Sequence, residues 1–140
     1  MERVPAASGR MSIVIDASAA IRLMLTRPRI DSLRDLVDGD EIHTVTHFDI
    51  ECISGLRNLW IRQSLSDEAF IQACDVPELL PVLRHPIHAL TGRIAELRHN
   101  ATAYDAAYIA LAEAFGAPLL TDDRRLAATP GARCTFRQLP

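Results

Sequence analysis

Short apolar runs alternate with helix-forming segments along the sequence, and that alternation restricts the chain to an α/β fold with a mainly parallel sheet. The first run, Ser12-Ile-Val-Ile-Asp16, has no polar alternation, which predicts a strand buried on both faces. Residues 17–25 then read as a helix, 29–37 as a second helix, Asp38-Gly39-Asp40 as a turn and 41–45 as a strand. A long helix is expected over 46–63, opened by Thr46-His-Phe-Asp49 as a capping box with Asp in the Glu/Gln place. Ser66 opens a helix over 66–74, residues 76–84 hold an edge strand, and 86–98 are helical. The strongest helix signal starts at Thr102-Ala-Tyr-Asp105 and runs to Phe115, where Gly116 and Pro118 stop it. A strand over 118–121, a helical turn over 122–127 and a last strand over 134–138 complete the pattern.

At 140 residues the chain suits one domain, large enough to bury ~70% of its unfolded surface without disulfides or zinc. Residues 1–10 lack the apolar stretch of a signal peptide and read as a flexible leader before a domain spanning 11–140. No apolar run reaches the ~18 residues of a membrane span. Cys52, Cys74 and Cys134 fit no metal spacing, and their odd number suits reduced thiols in a cytoplasmic protein. All fifteen basic residues are Arg, which removes lysine Schiff bases and Walker-type phosphate loops. The net charge of −3 argues against a passive nucleic-acid binder.

In open α/β sheets ligands bind beyond the carboxyl ends of the strands. Asp16 closes the first strand, and Asp122 and Asp123 follow the strand over 118–121. Glu51, in the second turn of its helix, and Asp105, in the first turn of its own, should reach the same rim. Each acid has a plain reading as a cap or a solvated surface group. Gly55, inside the helix that carries Glu51, marks a close approach by something. Four carboxylates gathered together cannot all stay ionised without a cation: either their pKa values rise or a metal compensates, and oxygen-only ligands suit Mg²⁺ or Mn²⁺. Such ions activate water and bridge phosphate oxygens.

Three segments carry a family resemblance: IVIDASAA from Ile13, HFDIECISGLRNL from His47 and RHNATAYDAAYIALAEAFGAPLLTDDRRLA from Arg98. Through them nearly all of residues 11–140 resembles PIN-domain ribonucleases, specifically the VapC toxins of toxin–antitoxin pairs. The resemblance implies a three-layer α/β/α sandwich with a small parallel sheet. It implies that Asp16 and Asp105 are the most direct metal ligands, that Glu51 and Asp123 complete the site partly through water, and that Ser18 and Thr121 hold an acid or phosphate oxygen. The family pattern Thr-x-Asp selects Asp123 over Asp122. The implied activity is Mg²⁺- or Mn²⁺-dependent cleavage of transfer or ribosomal RNA, arresting translation. A VapB-type antitoxin would silence the enzyme, and homodimers are expected.

Two alternatives compete: a phosphoacceptor receiver domain, and a PIN module that has lost catalysis and only binds a partner. A receiver would place its acidic pair after the first strand and a lysine late in the chain, and neither is present. Arg98, Arg124 and Arg125 flank the acids and could grip phosphates, or could be solvated helix-end charges. His47 and His99 lie near the same rim, whereas His85 and His88 read as surface residues. Leu56, Leu59, Trp60 and Gln63 trace a helix face expected to be mostly core.

Overall fold

The protein is described from a computed structural model covering residues 11–26 and 40–139. The expected leader, the helix over 29–37 and most of the turn after it lie outside the described residues. Five strands form one sheet in the order β3-β2-β1-β4-β5: β1 (Ser12–Ile15), β2 (Glu41–Val45), β3 (Leu83–His85), β4 (Leu119–Leu120) and β5 (Phe136–Arg137). Every pairing is parallel. Ile13, Val14 and Ile15 are wholly buried, as an unalternating strand requires.

The helices are α1 (Ala17–Thr26), α2 (Phe48–Ile61), α3 (Asp67–Cys74), α4 (Val76–Leu79), α5 (Thr91–Glu96), α6 (Ala103–Phe115) and α7 (Arg124–Ala127), with a 3₁₀ turn at His88–Leu90. The rule that crossovers between parallel strands are right-handed predicts α1 and α2 on one face of the sheet and, because the return from β3 to β4 reverses direction, α6 on the other. The packing agrees, since α1 rests on α2 while α6 covers β1, β2 and β4. The three-layer α/β/α arrangement is therefore the one expected.

Local signals hold where they are self-contained. The Ser66 hydroxyl caps α3 by accepting from the Ala69 N–H, and Thr102 caps α6 by accepting from the Asp105 N–H. Gly116 ends α6 in the left-handed region at φ 60°, where an L side chain would be strained.

The Thr46 capping box does not form. α2 begins at Phe48 behind His47, which makes no side-chain cap bond. Asp49 is drawn instead to Arg84 on β3, accepting two bonds of 2.7 and 2.8 Å from its guanidinium. That bidentate pair outweighs a neutral cap bond. The late start also moves Glu51 into the first turn of α2. The segment over 86–98 breaks into the 3₁₀ turn and α5, and the edge strand at 83–85 is preceded by the short helix α4, which has Pro77 in its first turn. Of the α2 face expected to be core, Leu56 is buried, but Trp60 is 40% exposed and Gln63 is also exposed.

The approach at Gly55 is made by α1. A Cβ there would collide with Ile21 Cδ1. Gly55→Val should therefore force the Ile21 side chain into another rotamer and cost about 1–3 kcal/mol in urea unfolding. An unchanged midpoint would show that the two helices do not depend on this contact.

Candidate active site

The sheet register builds the site. Ile15 pairs with Leu120, so the residues that follow, Asp16 and Thr121, emerge side by side at the carboxyl edge of β1 and β4. Both are buried, Asp16 at 3% exposure and Thr121 at 0%. Asp16 Oδ1 accepts from the Ser18 hydroxyl at 2.8 Å and the Ala19 N–H at 2.9 Å, while Oδ2 accepts from the Thr121 hydroxyl. Ser18 Oγ also accepts from the Asp122 N–H at 3.0 Å, and Thr121 Oγ1 from the Asp123 N–H at 3.0 Å. The small hydroxyls thus tie the end of β1 to the loop after β4.

Burial pushes the Asp16 carboxyl up to about 6, against the pull of these hydrogen bonds, and the Asp123 carboxylate adds to the rise. Asp105, in the first turn of α6, is also held above its ordinary value. Burial is the main cause, the charges of Asp123 and Glu51 add to it, and Arg125 opposes it. These mutual influences link all four expected acids: Asp123 acts on both Asp16 and Asp105, and Glu51 acts on Asp105.

Glu51 stands on the first turn of α2, where its Oε1 accepts from the Tyr108 phenol at 3.1 Å and lies 3.1 Å from His47 Nε2. Tyr108 is 1% exposed and belongs to α6, so its hydroxyl spans the carboxyl end of the sheet to reach α2. The long-range partnership of Tyr108 is invisible in sequence, although its spacing from Asp105 puts both on one face of α6.

The two adjacent acids after β4 divide their work. Asp122 turns outward and accepts from Arg22 of α1 at 2.6 Å. Asp123 adds its charge to the surroundings of Asp16 and Asp105, while its Oδ1 caps α7 by accepting from the Arg125 and Leu126 N–H groups. The cap reading of Asp123 holds, and its charge also reaches Asp16 and Asp105. Arg22 escapes a reading of the sequence, and its only signal is its i+4 spacing from Ser18 on α1.

Among the described residues, no three His, Cys, Asp or Glu side chains form a ready-made cage for a metal ion. The donor set nevertheless suits a hard cation in kind. It is all oxygen, and it sets a second carboxylate, Asp123, near a buried one whose carboxyl is raised chiefly by burial.

His43 and His85 pair with each other instead of with the acids of the site. His43 is 2% exposed, and its Nδ1 lies 2.8 Å from His85 Nε2, with both rings against Phe115. His85 is therefore a half-buried structural partner and not a surface residue. His88 is exposed, as expected.

The model of the PIN domain matches residues 13–132. The chain belongs to the PIN domain family. PIN-domain relatives include Ribonuclease VapC12 of Mycobacterium tuberculosis, 42% identical over 119 residues, which span 85% of this chain and 92% of that protein. Ribonuclease VapC9 of the same organism is 39% identical over 128 residues, 91% of this chain and 98% of its own length. Among solved structures, PAE2754 from Pyrobaculum aerophilum superposes with a TM-score of 0.64 at 24% identity, covering 94% of this chain and 91% of that one. VapBC2 from Rickettsia felis, bound to a DNA fragment from its promoter, superposes with a TM-score of 0.63 at 15% identity, covering 93% of this chain and 100% of that one. At these identities the two structures speak for the PIN fold alone. PIN family membership leaves no place for the phosphoacceptor receiver. No helix among the described residues is long and apolar enough to cross a membrane.

Proposed function

We propose that this PIN domain is the ribonuclease toxin of a VapBC-type pair, cleaving cellular RNA with a divalent metal ion. The relatives named VapC ribonucleases support the activity class. The observation that carries the chemistry is that carboxylates from four separate segments influence one another at the carboxyl edge of β1 and β4.

Asp16, Asp105, Glu51 and Asp123 would hold Mg²⁺, with Mn²⁺ as a substitute. When bound, such an ion supplies an activated water and neutralises phosphate oxygens in an in-line displacement. The protein's own part is positioning. The Ser18 and Thr121 hydroxyls and the Ala19 N–H fix both oxygens of Asp16. Tyr108 and His47 hold Glu51 from two sides. Arg22 anchors the Asp122 carboxylate and so steadies the loop after β4 that carries Asp123.

The substrate would be a structured RNA, transfer or ribosomal, whose loss stops translation. A VapB-type antitoxin would silence the enzyme. The exposed apolar side chains Ile61, Ile71 and Leu79 on α2, α3 and α4 suit burial against such a partner or a second copy of the chain. The intact set of acids speaks against a PIN module that only binds.

Antitoxin-free protein should cut total cellular RNA when Mg²⁺ or Mn²⁺ is added and stop in EDTA. Asp105→Asn, which keeps the shape of a side chain at half-buried depth, should fold and lose activity about 100-fold. Equal cleavage by this variant, or cleavage by neither protein, would contradict the reading.

A further inference from the structure

Beside the acids lies a cavity of about 410 Å³, lined by Arg98, His99, Ala101, Asp105, Arg125 and Leu126, among others. Asp105 is a wall shared by the cavity and the candidate site. The Arg125 charge acts on the Asp105 carboxylate from the cavity side. Leu126 is 3% exposed and Ala101 is half-buried, so part of the lining is apolar. Arg98 and Arg125 are exposed, and among the described residues neither lies within ion-pair distance of a carboxylate. Arg98 donates only to the Ala95 carbonyl of its own turn, at 3.0 Å. A chain of net charge −3 thus aims two guanidinium groups without an ion pair among the described residues at a cavity that adjoins its acids.

An apolar floor under a cationic rim matches a nucleotide, whose base and ribose bury while its phosphates stay at the rim. The volume falls within the usual ~300–1,000 Å³ of small-ligand pockets. We propose that this cavity seats the nucleotide next to the scissile phosphodiester, with Arg98 and Arg125 gripping its flanking phosphates. Guanidinium forks pair with phosphate oxygens two bonds at a time, and the exposed His99 ring offers a stacking face for the base. This inference rests on the nuclease reading above. An acidic peptide would satisfy the arginines but would have to lie against Asp105. An RNA strand running on into the active site has reason to pass that carboxylate.

The test measures binding of a fluorescein-labelled, single-stranded RNA octamer of mixed sequence in EDTA, across a series of salt concentrations. Wild type is compared with the Arg98→Ala/Arg125→Ala double variant, whose melting temperature should match wild type because both side chains are exposed. The variant should bind at least ten-fold more weakly. Its salt slope should fall by about 1.4, at ~0.7 for each phosphate of a single strand that an arginine no longer neutralises. In Mg²⁺ the variant's KM for RNA should rise more than its kcat falls. A labelled deca-glutamate peptide separates the occupants. An unchanged RNA affinity and slope would overturn the proposal. So would equal losses for RNA and peptide, which would make the cavity a general anion patch, and so would a loss for the peptide alone. If wild type cleaves no RNA while arginine-dependent binding persists, the nuclease reading fails and the RNA cavity stands.

Discussion

Asp16→Asn should make the metal-free protein more stable while abolishing RNA cleavage. Asp16 is 3% exposed, and its carboxyl is pushed from 3.8 up to about 6, chiefly by burial. A rise of that size corresponds to roughly 3 kcal/mol against the ionised form at neutral pH. Asparagine removes the charge and keeps the shape. Its oxygen can still accept from Ser18 and Ala19, and its amide can donate to Thr121, whose own proton can turn to Ser18 Oγ 3.2 Å away. Allowing for weaker neutral bonds, the gain should be about 2 kcal/mol, or ~5 °C in melting temperature for a domain of this size.

The pH dependence follows from the direction of the shift. The folded state holds the Asp16 proton more tightly than the unfolded chain does. The group's contribution to stability is therefore complete below about pH 3.8 and declines as the pH rises. It is gone once the pH passes about 6. In EDTA the advantage of Asp16→Asn should grow between pH 4 and 6 and then level off. RNA cleavage should fall about 100-fold or more. Lower stability at pH 7 with cleavage retained would mean that Asp16 serves only as the cap of α1.

Thr121→Val should have the opposite effect on stability. The hydroxyl of Thr121, a residue at 0% exposure, donates to Asp16 Oδ2 and accepts from the Asp123 N–H. Valine fills the same volume but leaves a buried charged oxygen and a backbone N–H without partners. The expected cost is about 2–4 kcal/mol in denaturant unfolding. Much of that cost depends on the charge, so it should shrink in the Asp16→Asn background. A double-mutant cycle should give a coupling of about 1 kcal/mol or more. Additive effects within ~0.5 kcal/mol would dissociate Thr121 from Asp16.

The parts of the fold legible in the sequence are those whose signals are local. β2, the run of β1 and the whole of α6 with its Thr102 cap and Gly116 stop need only near neighbours, and they sit where the residues predict. The Thr46 cap fails because Asp49 finds Arg84 across 35 positions, a competitor that no local pattern announces. Gly55 does mark a close approach, but its partner is Ile21, so it says nothing about Glu51.

The four acids can be singled out in the sequence because strand ends and helix starts in a parallel sheet share one rim. Their supports are less legible. Ser18 and Thr121 can be picked out, while Tyr108 with Glu51 and Arg22 with Asp122 depend on contacts between distant helices and loops. The resemblance prefers Asp123 to Asp122, and the contact that sets the two apart in the fold, Arg22 on Asp122, is one the sequence does not announce.

The most direct measurement of the cation-binding account is thermal unfolding of wild type and Asp16→Asn with and without Mn²⁺ at pH 7.5. In EDTA the variant should melt higher. Saturating Mn²⁺ should stabilise wild type by about 2.7 kcal/mol at a hundred times its dissociation constant, and leave the variant nearly unmoved, which reverses the order of the two proteins. Equal Mn²⁺ shifts in both, or none in either, would contradict a divalent ion held around Asp16.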